Sequence, residues 1–106
     1  MLELFDRDTI HEKIKQHTLT LLIIKTRQCG VCDVVLQKIE QLLPNYNHIH
    51  GFYFYLDNAP DCAADFLAFS APTVILFADG KEVYRAARFV RFEELSDKLQ
   101  QYNDLF

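Results

Sequence analysis

The chain has 106 residues, half of them hydrophobic and a quarter charged, with a formal net charge of −4. This composition indicates one packed domain over residues 1–106 rather than a disordered tail. Three cysteines are too few for a disulfide-rich secreted scaffold, and no Lys/Arg run builds the positive field that a nucleic-acid partner requires.

The N-terminus lacks the basic start and following apolar stretch of a secretory signal, and the apolar runs elsewhere are too short to span a membrane. We therefore expect a cytoplasmic protein without a membrane partner. Cysteines in that compartment are more often catalytic, metal-binding or inert than structural disulfides. The most basic part of the chain is expected to form a solvated face, and it comprises Lys25, Arg27, Arg85, Arg88 and Arg91.

The first half of the chain alternates helical and strand patterns. Asp6 or Asp8 can cap a helix that carries Ile10 and Ile14 on one face. Residues 18–24 are almost wholly apolar and β-branched, which predicts a strand buried on both faces. The next helical pattern ends at Pro44, and its apolar face consists of Val31, Val35, Ile39 and Leu42.

The second half continues with a strand over 49–56, a short helix from Pro60 through Phe66 and a strand over 73–77. Asp79-Gly80 predicts a hairpin to a returning strand over 82–87. A last helix presents Leu95, Leu99, Tyr102 and Phe106. The order α-β-α-β-α-β-β-α predicts an α/β fold in which helices flank both faces of a central mixed sheet. Strands separated by helices are expected to pair in parallel, and the hairpin adds an antiparallel edge.

Cys29 and Cys32 form a Cys-Gly-Val-Cys motif where the predicted buried strand ends and a helix begins. Unpaired N–H groups and the helix dipole stabilise a thiolate there, so we expect a lowered pKa for Cys29. A thiolate is the form that attacks a disulfide. Cys32 lies one turn further along, which suits Cys29 as the nucleophile and Cys32 as the resolving thiol.

A single CxxC motif has two other interpretations. The cysteines can be ordinary residues at a helix start, or they can be half of a zinc site. The further candidate ligands are Cys62, His11, His17, His48 and His50. Their spacing fits no zinc finger, and we assign no metal site and no cofactor to the chain. Cys62 is expected to be a small buried hydrophobe.

A second motif favours redox chemistry. Ala71-Pro72-Thr73 stands directly before the third predicted strand, a position where a proline is often cis, although a trans proline is equally compatible with a strand start. Together with the CxxC motif and the element order, the stretch from Ala71 to Gly80 resembles the thioredoxin family over nearly the whole chain.

The resemblance implies a thioredoxin-like fold and thiol–disulfide exchange. It implies that Pro72 is cis and faces the Cys29 sulfur, and that the backbone of Ala71 offers strand-like hydrogen bonds to a protein substrate. The remaining substrate contacts that it implies lie at Gly30, Val31 and Phe89.

Several positions depart from the family pattern. Gln28 and Lys25 stand where tryptophan or another aromatic residue is usual, and Phe89 stands near a usual glycine. The family's buried aspartate is Ile23, and its lysine partner aligns near Tyr53. Because Ile23 accepts no proton, resolution at Cys32 is expected to be slower than in the family or to depend on water. We expect Lys25 and Arg27 to lower the pKa of Cys29 and Asp33 to raise it.

The leading hypothesis is therefore an oxidoreductase that reduces or exchanges protein disulfides and is recharged by a thioredoxin-reductase-like electron donor. A thioredoxin-like binding or redox-sensing module with weak turnover is the alternative, and metal storage by the thiolates is a third. Phe89 and Phe92 belong either to the substrate groove or to the core.

Overall fold

The chain folds around a five-stranded β-sheet, and the computed structural model describes all 106 residues. The strands are β1 (Leu2–Leu4), β2 (Leu19–Lys25), β3 (Ile49–Tyr55), β4 (Thr73–Ala78) and β5 (Lys81–Ala87). The helices are α1 (Arg7–Gln16), α2 (Gly30–Leu42), α3 (Cys62–Asp65) and α4 (Phe92–Leu105). Single 3₁₀ turns follow α2 and β3, at Leu43–Asn45 and Leu56–Asn58.

The sheet is mixed, as predicted, with the strand order β1-β3-β2-β4-β5. The strands β1, β3 and β2 run parallel, whereas β4 is antiparallel to β2 and β5 is antiparallel to β4. All seven residues of the central strand β2 are buried. This explains the uninterrupted apolar run that predicted the strand, since both faces of β2 are covered.

Two hydrophobic clusters fill the space between the sheet and its helices. Leu22 and Ile24 of β2 belong to the cluster under α1 and α3. Leu21 and Ile23 belong to the cluster under α2 and α4. The alternation follows from the period of two along a strand, and it places Ile23 and α2 on the same side of the sheet. None of the helices has the length and apolar character that a membrane crossing requires.

The direction of β4 differs from the prediction of parallel pairing for this strand. Parallel neighbours need a crossover that returns along the full strand length, usually a helix. Helix α3 has only four residues, which extend about 6 Å at 1.5 Å per residue. The chain therefore begins β4 at the sheet end where β3 stopped, and it runs back antiparallel to β2.

The N-terminal strand β1 was not predicted at all. Its three residues are too few for a periodic pattern, and their pairing with β3 is a tertiary contact. Of the two candidate caps for α1, the structure selects Asp6, whose Oδ1 accepts a hydrogen bond from the Thr9 N–H at 2.8 Å. This capping geometry fixes the start of α1 at Arg7.

The hydroxyl of Thr20 on β2 is buried without a hydrogen-bond partner. Valine has nearly the same shape and needs no partner, so Thr20→Val should raise the free energy of unfolding by about 1 kcal/mol. Urea unfolding of the wild type and the variant measures this change. A destabilised variant would show that the hydroxyl makes a bond that stabilises β2.

Candidate functional site

Cys29 and Cys32 are joined by a disulfide at the N-terminus of α2, with their Cα atoms 5.3 Å apart. Cys29 is the N-cap residue and is partly exposed, whereas Cys32 is fully buried. The Cys32 N–H donates to the Cys29 Sγ at 3.2 Å. This N–H and the helix N-terminus are positioned to stabilise negative charge on the Cys29 sulfur once the disulfide opens.

The turn between β2 and α2 orients the pair. Gln28, directly before Cys29, has a φ of 58°, in the left-handed region that non-glycine residues rarely occupy. Such a reversal lets the chain leave a buried strand and enter the helix within a few residues. The partly exposed Cys29 is thereby presented at the end of the sheet, whereas Cys32, in the first turn of α2, is buried.

An apolar groove of about 550 Å³ lies beside the pair, between the start of α2 and the segment that joins β5 to α4. Of the predicted site residues, Gly30, Val31 and Phe89 line this groove. Val31 is 59% exposed and Phe89 is 85% exposed, so both side chains are open to a partner. Phe92 was expected either in the groove or in the core, and it contributes to both, since it lines the groove and also packs on the core.

Ala71 and Pro72 do not line that groove. They precede β4, and the peptide bond between them is cis. Ala71 is partly exposed and Pro72 is buried. The Pro72 carbonyl accepts a hydrogen bond from the Arg88 N–H at 2.8 Å, which ties this segment to the groove wall.

The remaining groove residues were not predicted: Val34, Val35, Arg88 and Val90. A signal was available for Val34, since Val31 and Val34 are three residues apart and share one face of α2. Both are at least half exposed. Val35 was predicted on the apolar face of α2 but as a core residue, and the positions of Arg88 and Val90 depend on where the β5–α4 segment lies, which no local pattern specifies.

Ile23 occupies the core position where the family pattern has an aspartate. Its side chain is completely buried in the cluster under α2 and α4. In the strand register it pairs with Tyr53 of β3 and Val74 of β4. No buried carboxylate replaces the missing aspartate, since the buried polar and charged residues are Thr20, Lys25 and Thr73.

Lys25 was predicted to lie on a solvated face, and this prediction is wrong. It is the last residue of β2 and only 3% exposed, and its Nζ lies 3.0 Å from Asp33 Oδ1. Lys25 and Asp33 were expected to act on Cys29 separately, but they form an ion pair.

Arg27 contacts other residues. Its backbone N–H donates a hydrogen bond to Asp57 Oδ1 at 3.2 Å, and its guanidinium lies over the Tyr55 ring.

Among the candidate metal ligands, His11 and Cys62 lie close to Asp65, with ligand atoms within 4.8 Å of one another. Arg7 and His11 donate to the Asp65 carboxylate at 2.7–2.8 Å and hold the pKa of Asp65 below its usual value. The Arg7 guanidinium already binds both oxygens of the Asp65 carboxylate, which a metal ion would need as a ligand. This cluster is therefore an ion-paired link between α1 and α3.

The histidines of the second candidate group lie elsewhere. The rings of His17 and His50 stack with centroids 3.9 Å apart, and His48 lines the same surface hollow. These histidines do not belong to the cluster of three candidate ligand groups that the structure brings together. Neither group includes Cys29 or Cys32.

Cys62 is completely buried, and this burial raises the pKa of its thiol to about 11. Below pH 9 the Cys62 thiolate is therefore scarce, and the thiol is covered as well. Iodoacetamide at pH 8 should alkylate Cys29 in the reduced folded protein and leave Cys62 unmodified until denaturant is added. Peptide mass spectrometry measures both sites, and equal labelling of Cys62 in the folded protein would contradict its burial.

Comparison with known proteins gives the chain its relatives, although no protein-family model matches it. It is 35% identical over 98 residues to the thioredoxin-like protein YdfQ of Bacillus subtilis, covering 92% of this chain and 88% of that one. A thioredoxin-like protein of Bacillus cereus with a solved structure is 38% identical, with a TM-score of 0.70, covering 88% of this chain and 98% of that one.

A structure of Plasmodium falciparum thioredoxin has a TM-score of 0.86 at 16% identity, covers 96% of this chain and 99% of that one, and shows the shared fold. The YdfQ match spans nearly the whole of both chains, and the structure places a CxxC pair as a disulfide at the start of a helix. The chain therefore belongs to the thioredoxin-like proteins and is a thiol–disulfide oxidoreductase that works through its Cys29–Cys32 pair.

Proposed function

We propose that Cys29 and Cys32 reduce or exchange disulfides in protein substrates. The observation that carries this proposal is the disulfide at the N-terminus of α2, beside an exposed apolar groove. Cys29 is partly exposed, whereas Cys32 is fully buried. This asymmetry suits Cys29 as the catalytic nucleophile and Cys32 as the catalytic resolving thiol.

The reaction has two exchange steps. The Cys29 thiolate attacks one sulfur of the substrate disulfide, forms a mixed disulfide and releases the other substrate sulfur as a thiolate that takes up a proton. Cys32 then loses its proton and attacks the Cys29 sulfur. This step releases the second substrate thiol and leaves the Cys29–Cys32 disulfide, so two electrons have passed to the substrate.

The groove supplies the proposed substrate contacts. An apolar side chain next to the substrate disulfide packs on Val31 and Phe89, and Gly30 leaves open space for the approaching backbone. The partly exposed backbone at Ala71, held beside Pro72, offers strand-like hydrogen bonds to the substrate chain.

Cys32→Ser tests the two-step mechanism, because it permits the first exchange and blocks the second. Incubation of the reduced variant with insulin, followed by acid quenching and mass spectrometry, should show a mixed disulfide at Cys29. The matched control Cys62→Ser removes a buried thiol outside the pair and should give no trapped species. Absence of the adduct with Cys32→Ser would overturn the assignment of the two roles.

Phe89→Ala should slow the reaction with insulin while leaving the fold intact, because Phe89 is 85% exposed. Loss of one aromatic contact lowers the second-order rate constant about tenfold, the equivalent of about 1.4 kcal/mol. Glutathione disulfide has no apolar side chain for the groove, so its rate should stay within about twofold. Phe5→Ala, at a phenylalanine that is 62% exposed and outside the groove, is the control. Equal rates for Phe89→Ala and wild type would remove Phe89 from the substrate site.

Ile23 supports the alternative of a redox-sensing module with weak turnover, because no buried carboxylate lies in the core cluster to accept the Cys32 proton. Multiple-turnover kinetics distinguish the two. A catalyst resolves each mixed disulfide faster than it is formed, whereas a sensor or binding module accumulates it in the wild type.

We also propose that the protein works in the cytoplasm with a thioredoxin-reductase-like electron donor. A reducing compartment keeps the buried Cys62 thiol free and returns the oxidised pair to the dithiol. The two electrons transferred to each substrate must be resupplied. A reductase that donates them to the exposed sulfur of Cys29 completes the cycle.

A further inference from the structure

An ion pair between a buried lysine and an exposed aspartate lies at the N-terminus of the active-site helix. The Lys25 side chain, at the end of β2, is only 4% exposed, and its Nζ lies 3.0 Å from Asp33 Oδ1. It also donates to the Tyr55 hydroxyl at 3.3 Å. Asp33 directly follows Cys32, and its backbone N–H donates to the Cys29 carbonyl at 3.3 Å.

The environment of Lys25 keeps it charged. Its Nζ lies 5.1 Å from the ring centroid of Tyr53 and 4.8 Å from that of Tyr55, as in cation–π contacts. Burial lowers the pKa of Lys25, but the hydrogen bonds with Asp33 and Tyr55 outweigh burial and leave the pKa above its ordinary value. A full positive charge is therefore held in the protein interior beside the first turn of α2.

Asp33 is the one carboxylate paired with this cation. Its side chain is 65% exposed, so its contribution to stability is small, but it lies in the first turn of α2, directly after Cys32 and one turn beyond the N-cap Cys29. While the pair is intact, the two opposite charges lie 3.0 Å apart beside the first turn of α2, and their fields largely offset each other there. If either charge is removed, the other acts on this turn without compensation, and the buried Lys25 ammonium is less screened by solvent than the exposed Asp33 carboxylate.

We propose that Lys25 and Asp33 are a positioning pair that sets the redox equilibrium of Cys29 and Cys32. This proposal rests on the proposed thiol–disulfide exchange. The pair fixes the first turn of α2 against the end of the sheet and balances the charge felt by the thiolate of the reduced protein. Lys25 stands where an aromatic residue is usual in the family, and its charge is neutralised by Asp33.

The effect is measured from the equilibrium of the protein disulfide with two glutathione molecules, which gives the protein dithiol and one glutathione disulfide. Lys25→Met leaves Asp33 unpaired, destabilises the thiolate and should lower this equilibrium constant about tenfold, about 30 mV toward a more reducing couple. Asp33→Asn leaves Lys25 unpaired and should raise the constant by a similar factor. The double variant Lys25→Met/Asp33→Asn should return to within about twofold of the wild type.

Lys38→Met is the matched control, since Lys38 is also on α2 and lies over an aromatic ring, that of Phe92, yet has no carboxylate partner. Its constant should equal that of the wild type. A purely structural Lys25 would lower stability in the variants without opposite shifts in the constant. The proposal is overturned if the two single variants shift in the same direction, or if neither shifts.

The proposal can still be tested if the Lys25→Met variant does not fold. Asp33 is exposed, so Asp33→Asn remains folded. A raised equilibrium constant in this variant supports the proposal, and a constant equal to that of the wild type overturns it. Measurement of the wild type distinguishes failure of the proposed function from failure of the Lys25–Asp33 inference. A wild type without a reversible disulfide removes the proposed function and this inference together, whereas a normal wild type with unshifted variants removes the inference alone.

Discussion

Cys29→Ser should reduce the rate of disulfide reduction to the background level, a loss of at least about 10³-fold for removal of the attacking nucleophile. Cys29 is the partly exposed member of the pair and the N-cap of α2, so no other sulfur can take its place. The free energy of unfolding of the reduced protein should change little, because serine is also a good N-cap. Turnover with insulin, measured with dithiothreitol as the electron source, gives the rate.

Cys62→Ser is the control for this loss. Cys62 is buried in the other hydrophobic cluster, under α1 and α3, and the disulfide does not involve it. This variant should keep the wild-type rate per folded molecule. A Cys29→Ser protein with substantial activity, or a Cys62→Ser protein that is folded and inactive, would place the nucleophile elsewhere.

Ile23→Asp should lower the free energy of unfolding by about 3–5 kcal/mol at pH 7. Ile23 is completely buried, and Lys25 on the same face of β2 is already engaged by Asp33. Introducing the family's aspartate here therefore buries a carboxylate without a partner of its own. Urea unfolding followed by circular dichroism measures the loss.

The loss should depend on pH in a defined direction. Burial raises the pKa of the new carboxyl in the folded protein, so the folded state binds a proton that the unfolded state has released above about pH 4. Stability relative to wild type should therefore fall as the pH rises from about 4 toward the folded-state pKa. Ile23→Asn, which carries no charge, should show a constant loss. An Ile23→Asp protein as stable as the wild type at pH 7 would contradict the dry environment of this position.

The elements that bear the chemistry were predictable because their signals are local. The apolar run of β2, the helical spacing after Cys29 and the Asp79-Gly80 turn each lie within one segment. These signals place the CxxC pair at a strand-to-helix junction, and the structure has it there. The exposed position of Phe89 was not fixed by the sequence, since an aromatic residue between a strand and a helix is equally typical of a core.

The features that were missed depend on contacts between distant segments. The pairing of β1 with β3, and the reversal of β4, follow from how the chain returns to the sheet and not from any periodic pattern. Lys25 is the clearest case. A lysine is expected on the surface, and its burial becomes favourable only when Asp33, eight residues later, and Tyr55, on another strand, come together around it.

The account as a whole depends on a reversible disulfide between Cys29 and Cys32 in the wild type. Its direct test is thiol trapping of the wild-type protein across a series of glutathione redox buffers, with each thiol quantified by peptide mass spectrometry. The account predicts that Cys29 and Cys32 lose their reactive thiols together in one two-electron transition, which reverses on reduction, while Cys62 stays reduced throughout. The account would be contradicted if Cys29 and Cys32 stayed fully reduced at every buffer ratio, or if either formed a disulfide with Cys62 instead.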